Sequence, residues 1–305
     1  MADPRAWPEL GDMPAADFRT ALHRVADWIA DYREGIENLK ISPDLEAGEI
    51  AARLPPVPPD EAVPFQDVFQ EFNEIILPGI VHWGHPRFFG YFGSTTTAPG
   101  ILGEMLAAAL NVSAMTWRTS PAATELETVV LDWLRQLLGL PRDFSGVVYD
   151  TASVAVLHAL AAARENLGLE VRSRGLCGRP EVRTLRVYAS DQAHSSLEKA
   201  AITLGLGERN VRRVSTDARY RLCLSALRSA IEEDLREGLL PLAVVATVGT
   251  TSTTSIDPVE EIAALCNGYR LWLHVDAAYG GAMALLPEGR HLMKGVSSAD
   301  TPFIK

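Results

Sequence analysis

Apolar residues recur at two periods along the chain, and the change of period divides it. Phe18, Leu22, Val25, Ile29, Tyr32 and Ile36 stand three or four apart, a narrow stripe on a helix that Asp12 and Pro14 open. Phe65, Val68, Phe69, Phe72, Ile75 and Ile76 repeat that spacing in a second helix. Between them, residues 54–65 carry Pro55, Pro56, Pro58, Pro59 and Pro64, which predict a stiff extended connector. Two helices joined by a proline strut make a poor independent core. Residues 1–80 are therefore expected to form an arm that packs on a second copy of the chain.

Residues 81–305 are expected to form a larger domain. A small-residue helix is predicted over 99–111. Another starts at Ser120-Pro121, with Leu126, Val129, Val130, Trp133, Leu134, Leu137 and Leu138 as its buried face. From Gly146 onward short β-like runs at 147–149, 185–189, 211–214, 242–248 and 271–275 alternate with helical stretches at 153–166, 194–204, 223–237 and 258–267. That alternation predicts an α/β domain with a mainly parallel sheet covered on both faces. At one boundary Asp257 is placed to cap a helix, with Pro258 at its first position and Glu260 completing a capping box.

Composition narrows the function classes. With 39 acidic and 28 basic residues the net charge is −11, which argues against a nucleic-acid or anionic-membrane binder. Cys177, Cys223 and Cys266 are far apart and form no metal-ligand or disulfide pattern, as expected for a cytoplasmic protein. The first ten residues lack the apolar core of a secretory signal, and no run approaches the ~18 apolar residues of a membrane span. His82 and His85, three apart with no acidic or cysteine ligand beside them, fit polar aromatic packing better than a metal site.

Chemistry-bearing residues gather just past the predicted strands, where open α/β sheets bind ligands. Leu271, Leu273 and Val275 alternate into Asp276, and the small residues Ala277, Ala278, Gly280 and Gly281 follow. A fixed carboxylate there suits a ligand with a protonated ring nitrogen, such as pyridoxal phosphate; it equally suits a turn or helix cap. Asp150-Thr151-Ala152-Ser153 offers small hydroxyl residues at a helix start, either as a phosphate seat or as an ordinary N-cap. His194, in Asp191-Gln192-Ala193-His194-Ser195-Ser196, is placed to stack on a flat ring, to transfer protons or to cap a helix. Thr250, Thr251, Ser252, Thr253, Thr254 and Ser255 supply hydroxyls for a ligand or a polar turn.

Four stretches together resemble the group II pyridoxal-phosphate-dependent amino-acid decarboxylases, the family of the aromatic L-amino-acid, histidine and glutamate decarboxylases. They are His85-Pro86-Arg87-Phe88-Phe89-Gly90-Tyr91-Phe92, Ser120-Pro121-Ala122-Ala123-Thr124-Glu125-Leu126-Glu127, Ser190-Asp191-Gln192-Ala193-His194-Ser195-Ser196 and His274-Val275-Asp276-Ala277-Ala278-Tyr279. The resemblance runs from near residue 14 to about residue 300 and is nearest to the aromatic branch.

It implies an aspartate-aminotransferase-like large domain (fold type I), a homodimer, pyridoxal 5'-phosphate as cofactor and an amino acid as substrate. It also implies roles. Ala152 and Ser153 would hold the phosphate, His194 would stack on the ring, and Thr251 would lie near the reacting centre. Asp276 would pair with the pyridine nitrogen, with Ala278 beneath the ring. Tyr91, Phe92 and Ser94 would form the substrate-side wall. Asp150 departs from the family, which usually has Gly there.

A further departure follows Asp300. The family continues to an Asn-Pro-His-Lys whose lysine binds the cofactor, whereas here Thr301-Pro302-Phe303-Ile304-Lys305 completes the sequence. The chain is accordingly expected to be the N-terminal part of a decarboxylase without the small C-terminal domain. Lys305 arrives several residues too soon and lacks the Pro-His before it, so reading it as the catalytic lysine is disfavoured, and decarboxylation by the 305-residue chain is expected to be slow or absent. A non-catalytic homologue that keeps the fold, or another fold type I enzyme, stays open beside the decarboxylase. A nicotinamide site is disfavoured because no G-x-G-x-x-G follows a strand.

Overall fold

The structure, a computed structural model, describes residues 13–91, 93 and 96–304. It forms two compact units, Met1–Asn111 and Val112–Lys305.

The first unit is helical: α1 (Ala15–Gly35), α2 (Glu49–Arg53), α3 (Phe65–Glu71) and α4 (Ala98–Leu110). Helix α1 begins behind Pro14, while Asp12 lies outside the described residues. The two predicted stripes meet in an aromatic cluster. Trp28 stacks on Tyr32 at 5.2 Å, takes Phe69 and Phe72 edge-on, and donates its Nε1–H to Asn73 at 2.8 Å. Helix α3 runs on through a π turn, Phe72–Ile76, which carries Asn73. His82 and His85 are buried; the Tyr32 hydroxyl meets His82 Nδ1 at 2.9 Å, and the Arg87 N–H donates to His85 Nδ1. Burial, with His85 adding to it, holds His82 below the usual imidazole range.

The second unit contains α5 (Pro121–Leu137), α6 (Ala152–Asn166), α7 (Val171–Arg174), β1 (Leu185–Ser190), α8 (Ser196–Thr203), β2 (Val211–Val214), α9 (Leu224–Arg236), β3 (Leu240–Thr247), α10 (Val259–Tyr269), β4 (Trp272–Ala277) and β5 (Thr301–Ile304). The sheet runs β2-β1-β3-β4-β5, and every pairing is parallel. Alternate strand residues serve the two faces. Val187, Ala189, Ala243 and Val245 pack with Val156, Leu160 and Leu197 of α6 and α8. Tyr188, Val244, Ala246, Leu273 and Val275 pack with Leu227, Ile231 and Ile262 of α9 and α10. Each large aliphatic side chain so buried contributes about 1.5–3 kcal/mol. A charged brace ties β1 and β2 to α9. The Tyr188 hydroxyl donates to the fully buried Asp234 at 2.7 Å, and Arg212 pairs with the same carboxylate at 2.5 Å.

Three sequence expectations need correction. Residues 147–149 form no strand: they have no ladder partner, Val147 and Val148 are exposed, and the Val148 N–H donates to the Glu127 carboxylate instead. Strand propensity without a neighbour to pair with does not make a strand. The apolar face of α5 is not buried within the chain, since Leu126, Trp133 and Leu137 are 62%, 59% and 58% exposed. Asp257 does not cap α10, which starts behind Pro258 with no side-chain cap. Its carboxylate accepts the N–H groups of Leu222 and Thr247 at 2.7 and 2.8 Å. Two tertiary donors outweigh one local cap.

Candidate functional site

Parallel strands deliver their carboxyl ends to one edge of the sheet. Three neighbours there, β1, β3 and β4, lead into His194, Thr251 and Asp276. Strand spacing of about 4.8 Å sets these segments side by side. Helix α6 packs on β3, β4 and β5, and Thr151 and Ala152 at its start line one cavity with Phe303 and Ile304 at the end of β5.

The amino end of α6 is well formed. Thr151 caps it by accepting the Val154 N–H at 3.3 Å. The first-turn N–H groups of Ala152 and Ser153 have no intrahelical acceptor, and the helix dipole adds partial positive charge. Ala152 and Ser153 are half-buried. Asp150 is exposed, so water screens its charge from this helix end.

His194 is exposed in the turn after β1. Its Nδ1 accepts the Ser196 N–H at 3.2 Å, so a neutral ring carries its proton on Nε2. The ring is thus oriented by the backbone with one N–H and a flat face left over. Arg213 fixes the turn by donating to the carbonyls of Ser190 and Ala193.

After β3 the hydroxyl run divides its work. Thr250 is buried and hydrogen-bonds with the hydroxyls of Thr253 (2.7 Å) and Ser255 (2.9 Å), and Ser255 donates onward to the Tyr220 carbonyl. Thr251 is exposed beside this closed cage. Gly249 makes the turn possible: its φ is +91°, and a Cβ there would sit 2.8 Å from the Tyr279 ring. Gly280 is as constrained, since its Cβ would lie 2.7 Å from the Val248 carbonyl, to which its own N–H donates. The loops after β3 and β4 are braced against each other by these contacts.

Asp276 is 8% exposed. One carboxylate oxygen accepts the Ala278 N–H at 3.1 Å, and among the described residues no cation pairs with it. A nearly buried carboxylate with acceptor capacity left over suits a cationic ligand atom. Ala278 is half-buried beside it. Two residues earlier, His274 is fully buried and its Nδ1–H donates to the Thr301 carbonyl at 2.8 Å. Burial pushes the His274 pKa down against the opposing pull of Asp276.

The arrangement offers an anion seat, an oriented imidazole, a free hydroxyl and a carboxylate for a ring cation along one sheet edge. These features fit a flat ring bearing a phosphate and a protonated nitrogen. Thr151, Ala152, Ser153, His194, Thr251, Asp276 and Ala278 all belong to this unit. Tyr91 belongs to the other, where it is 86% exposed and stacks on Trp83 at 5.4 Å. Phe92, Ser94 and Lys305 lie outside the described residues. Sequence reasoning missed the Thr250 cage, the Gly249–Gly280 brace and the polar neighbours of Asp276. Only the positions of Gly249 and Gly280 beside strand ends could have signalled any of these.

The pyridoxal-dependent decarboxylase conserved domain matches residues 48–303. The chain is 41% identical to aromatic-L-amino-acid decarboxylase of Sus scrofa over 299 residues, covering 95% of this chain and 61% of the relative. It is 40% identical to tryptophan decarboxylase 2 of Oryza sativa subsp. japonica over 300 residues, covering 96% and 59%. Among solved structures, Oryza sativa TDC with PLP and tryptamine superposes with a TM-score of 0.89 at 37% identity, over 96% of this chain and 64% of that one. Catharanthus roseus tryptophan decarboxylase in complex with L-tryptophan gives 0.89 at 36% identity, over 96% and 63%. The chain thus spans about three fifths of the length of these relatives.

Proposed function

Because the chain belongs to the pyridoxal-dependent decarboxylase family, we propose that it binds pyridoxal 5'-phosphate at the carboxyl edge of its sheet and serves the decarboxylation of an aromatic amino acid. The observation that carries this reading is Asp276: a nearly buried carboxylate at the end of β4, half committed to the Ala278 N–H. When bound, the cofactor supplies an electron-withdrawing ring that takes up the electron pair left as the substrate loses CO2.

The chain's own residues supply the rest. Ala152 and Ser153 hold the phosphate through free N–H groups at the α6 terminus. Asp276 keeps the ring nitrogen protonated, and Ala278 leaves room beneath the ring. His194 would stack on the ring, steered by the Ser196 N–H that its Nδ1 accepts, with the proton of the neutral imidazole on Nε2. Thr251 offers its hydroxyl near the reacting centre. By the resemblance to the family, Tyr91, Phe92 and Ser94 are the candidates for substrate contact, and Lys305 is a disfavoured candidate for the amine. The aromatic substrate class is supported by relatives named for aromatic amino acids. A homodimer is part of this reading, supported by the uncovered apolar face of α5. A cytoplasmic location fits the three free thiols.

The test is absorption-monitored titration with pyridoxal phosphate, then assay of amine release from L-tryptophan, L-tyrosine and L-DOPA. Asp276→Ala is expected to weaken binding about a hundredfold, the loss expected for a desolvated charge pair. Unchanged binding in that variant would refute the assignment.

A further inference from the structure

Asp276 has two polar neighbours on the face of the sheet that α6 covers. Thr247 is its Cα partner across the β3–β4 ladder, and paired residues project to the same face. His274 precedes it by two positions on β4 and so shares that face. Elsewhere this face is apolar, with Ala243 and Val245 on β3. Both neighbours hold a buried atom that finds no hydrogen-bond partner among the described residues: Thr247 Oγ1 and His274 Nε2. Buried polar atoms in native proteins are seldom left unpaired, and each such case calls for a reason.

Donor and acceptor capacities separate the two. The His274 ring N–H is spent on the Thr301 carbonyl, so Nε2 presents a lone pair and has nothing to donate to Asp276. Asp276 only accepts. Of these two neighbours, only the Thr247 hydroxyl can donate to Asp276. Its backbone is not free to drift, because Asp257 holds both the Thr247 N–H and its carbonyl.

We propose that Thr247 is a positioning residue for Asp276. Rotation about its χ1 brings the hydroxyl proton to the carboxylate oxygen that Ala278 leaves free, which fixes the plane in which the carboxylate meets a protonated ring nitrogen. The inference rests on the cofactor reading above. It differs from a packing role in a measurable way: a hydroxyl unpaired in the unliganded protein adds nothing to its stability, so valine at 247 removes the function without weakening the fold.

The experiment uses the 305-residue chain and pyridoxamine 5'-phosphate, which carries the same ring and phosphate but forms no imine with lysines. Affinity is read from tryptophan fluorescence and stability from thermal unfolding, for wild type, Thr247→Val, Thr247→Ser, Asp276→Asn and the Thr247→Val/Asp276→Asn pair. Thr247→Val is expected to bind about tenfold more weakly, with an unliganded Tm equal to or above that of wild type. Thr247→Ser should bind like wild type. In the Asp276→Asn background Thr247→Val should cost nothing more, because it acts through the carboxylate. Wild-type affinity in Thr247→Val, or equal losses in both backgrounds, would overturn the role of Thr247 while a loss in Asp276→Asn alone sustains the cofactor reading. If wild type fails to bind, or Asp276→Asn binds as wild type does, both fall.

Discussion

Asp257 and Thr247 are bonded to each other twice: the Thr247 N–H donates to the Asp257 carboxylate at 2.8 Å, and the Asp257 N–H donates to the Thr247 carbonyl at 2.9 Å. The second carboxylate oxygen reaches Leu222 at 2.7 Å. One side chain thus locks the end of β3, where the site begins, to the turn before α9.

That lock has a pH signature. Burial lifts the Asp257 carboxyl to about 6, against about 3.9 in an unfolded chain. Between these values the folded protein holds a proton that the unfolded chain has released. Stability is therefore expected to fall by roughly 2–3 kcal/mol as pH rises from about 4 to about 6, and to level off above that. Asp257→Asn should lack this segment of the curve. Urea unfolding of both proteins across this range checks it; parallel curves would rule the assignment out.

The Tyr188–Asp234 pair makes a second prediction. Burial and the Asp234 carboxylate hold the Tyr188 phenol far above its ordinary pKa, so it stays protonated and donating. Tyr188→Phe removes one donor but leaves Arg212 on the carboxylate, and should cost about 1–2 kcal/mol. Asp234→Ala strands the buried phenol and uncovers Arg212, and should cost about 3–5 kcal/mol. Denaturant midpoints rank the two; an equal cost would show that Arg212 contributes nothing to the brace.

Association is the third. Trp133 and Leu137 on α5 are more than half exposed, as is Phe18 on α1. Light scattering at micromolar concentration is expected to show a dimer, and Trp133→Glu to shift it toward monomer with little change in helix content. A wild-type chain that stays monomeric at this concentration would count against the homodimer.

The parts legible in the sequence are those set by local rules. Apolar alternation ending in Asp276 found β4 and its carboxylate, and Thr151 ahead of a helical run found the cap of α6. What was not legible depends on neighbours distant along the chain. Residues 147–149 have strand composition but no partner. Asp257 carries the local pattern of a cap, yet its acceptors' donors lie 35 and 10 residues away. Strand β5 escaped notice because Pro302 interrupts so short a run. Thr247 drew no attention as the last residue of an apolar strand, since nothing in the sequence pairs it with Asp276.

Parallel pairing throughout the sheet has a kinetic consequence. No two strands of the sheet are joined by a hairpin, and each ladder must wait for the intervening chain to bring its strands together. The bonds that fix the layers close loops of 46, 35 and 29 residues at Tyr188–Asp234, Leu222–Asp257 and Trp272–Thr301. Chains dominated by such separations fold on the order of milliseconds to seconds, slowly for their stability. During that interval the strand edges and the α5 face are open together, so yield on refolding should fall as protein concentration rises.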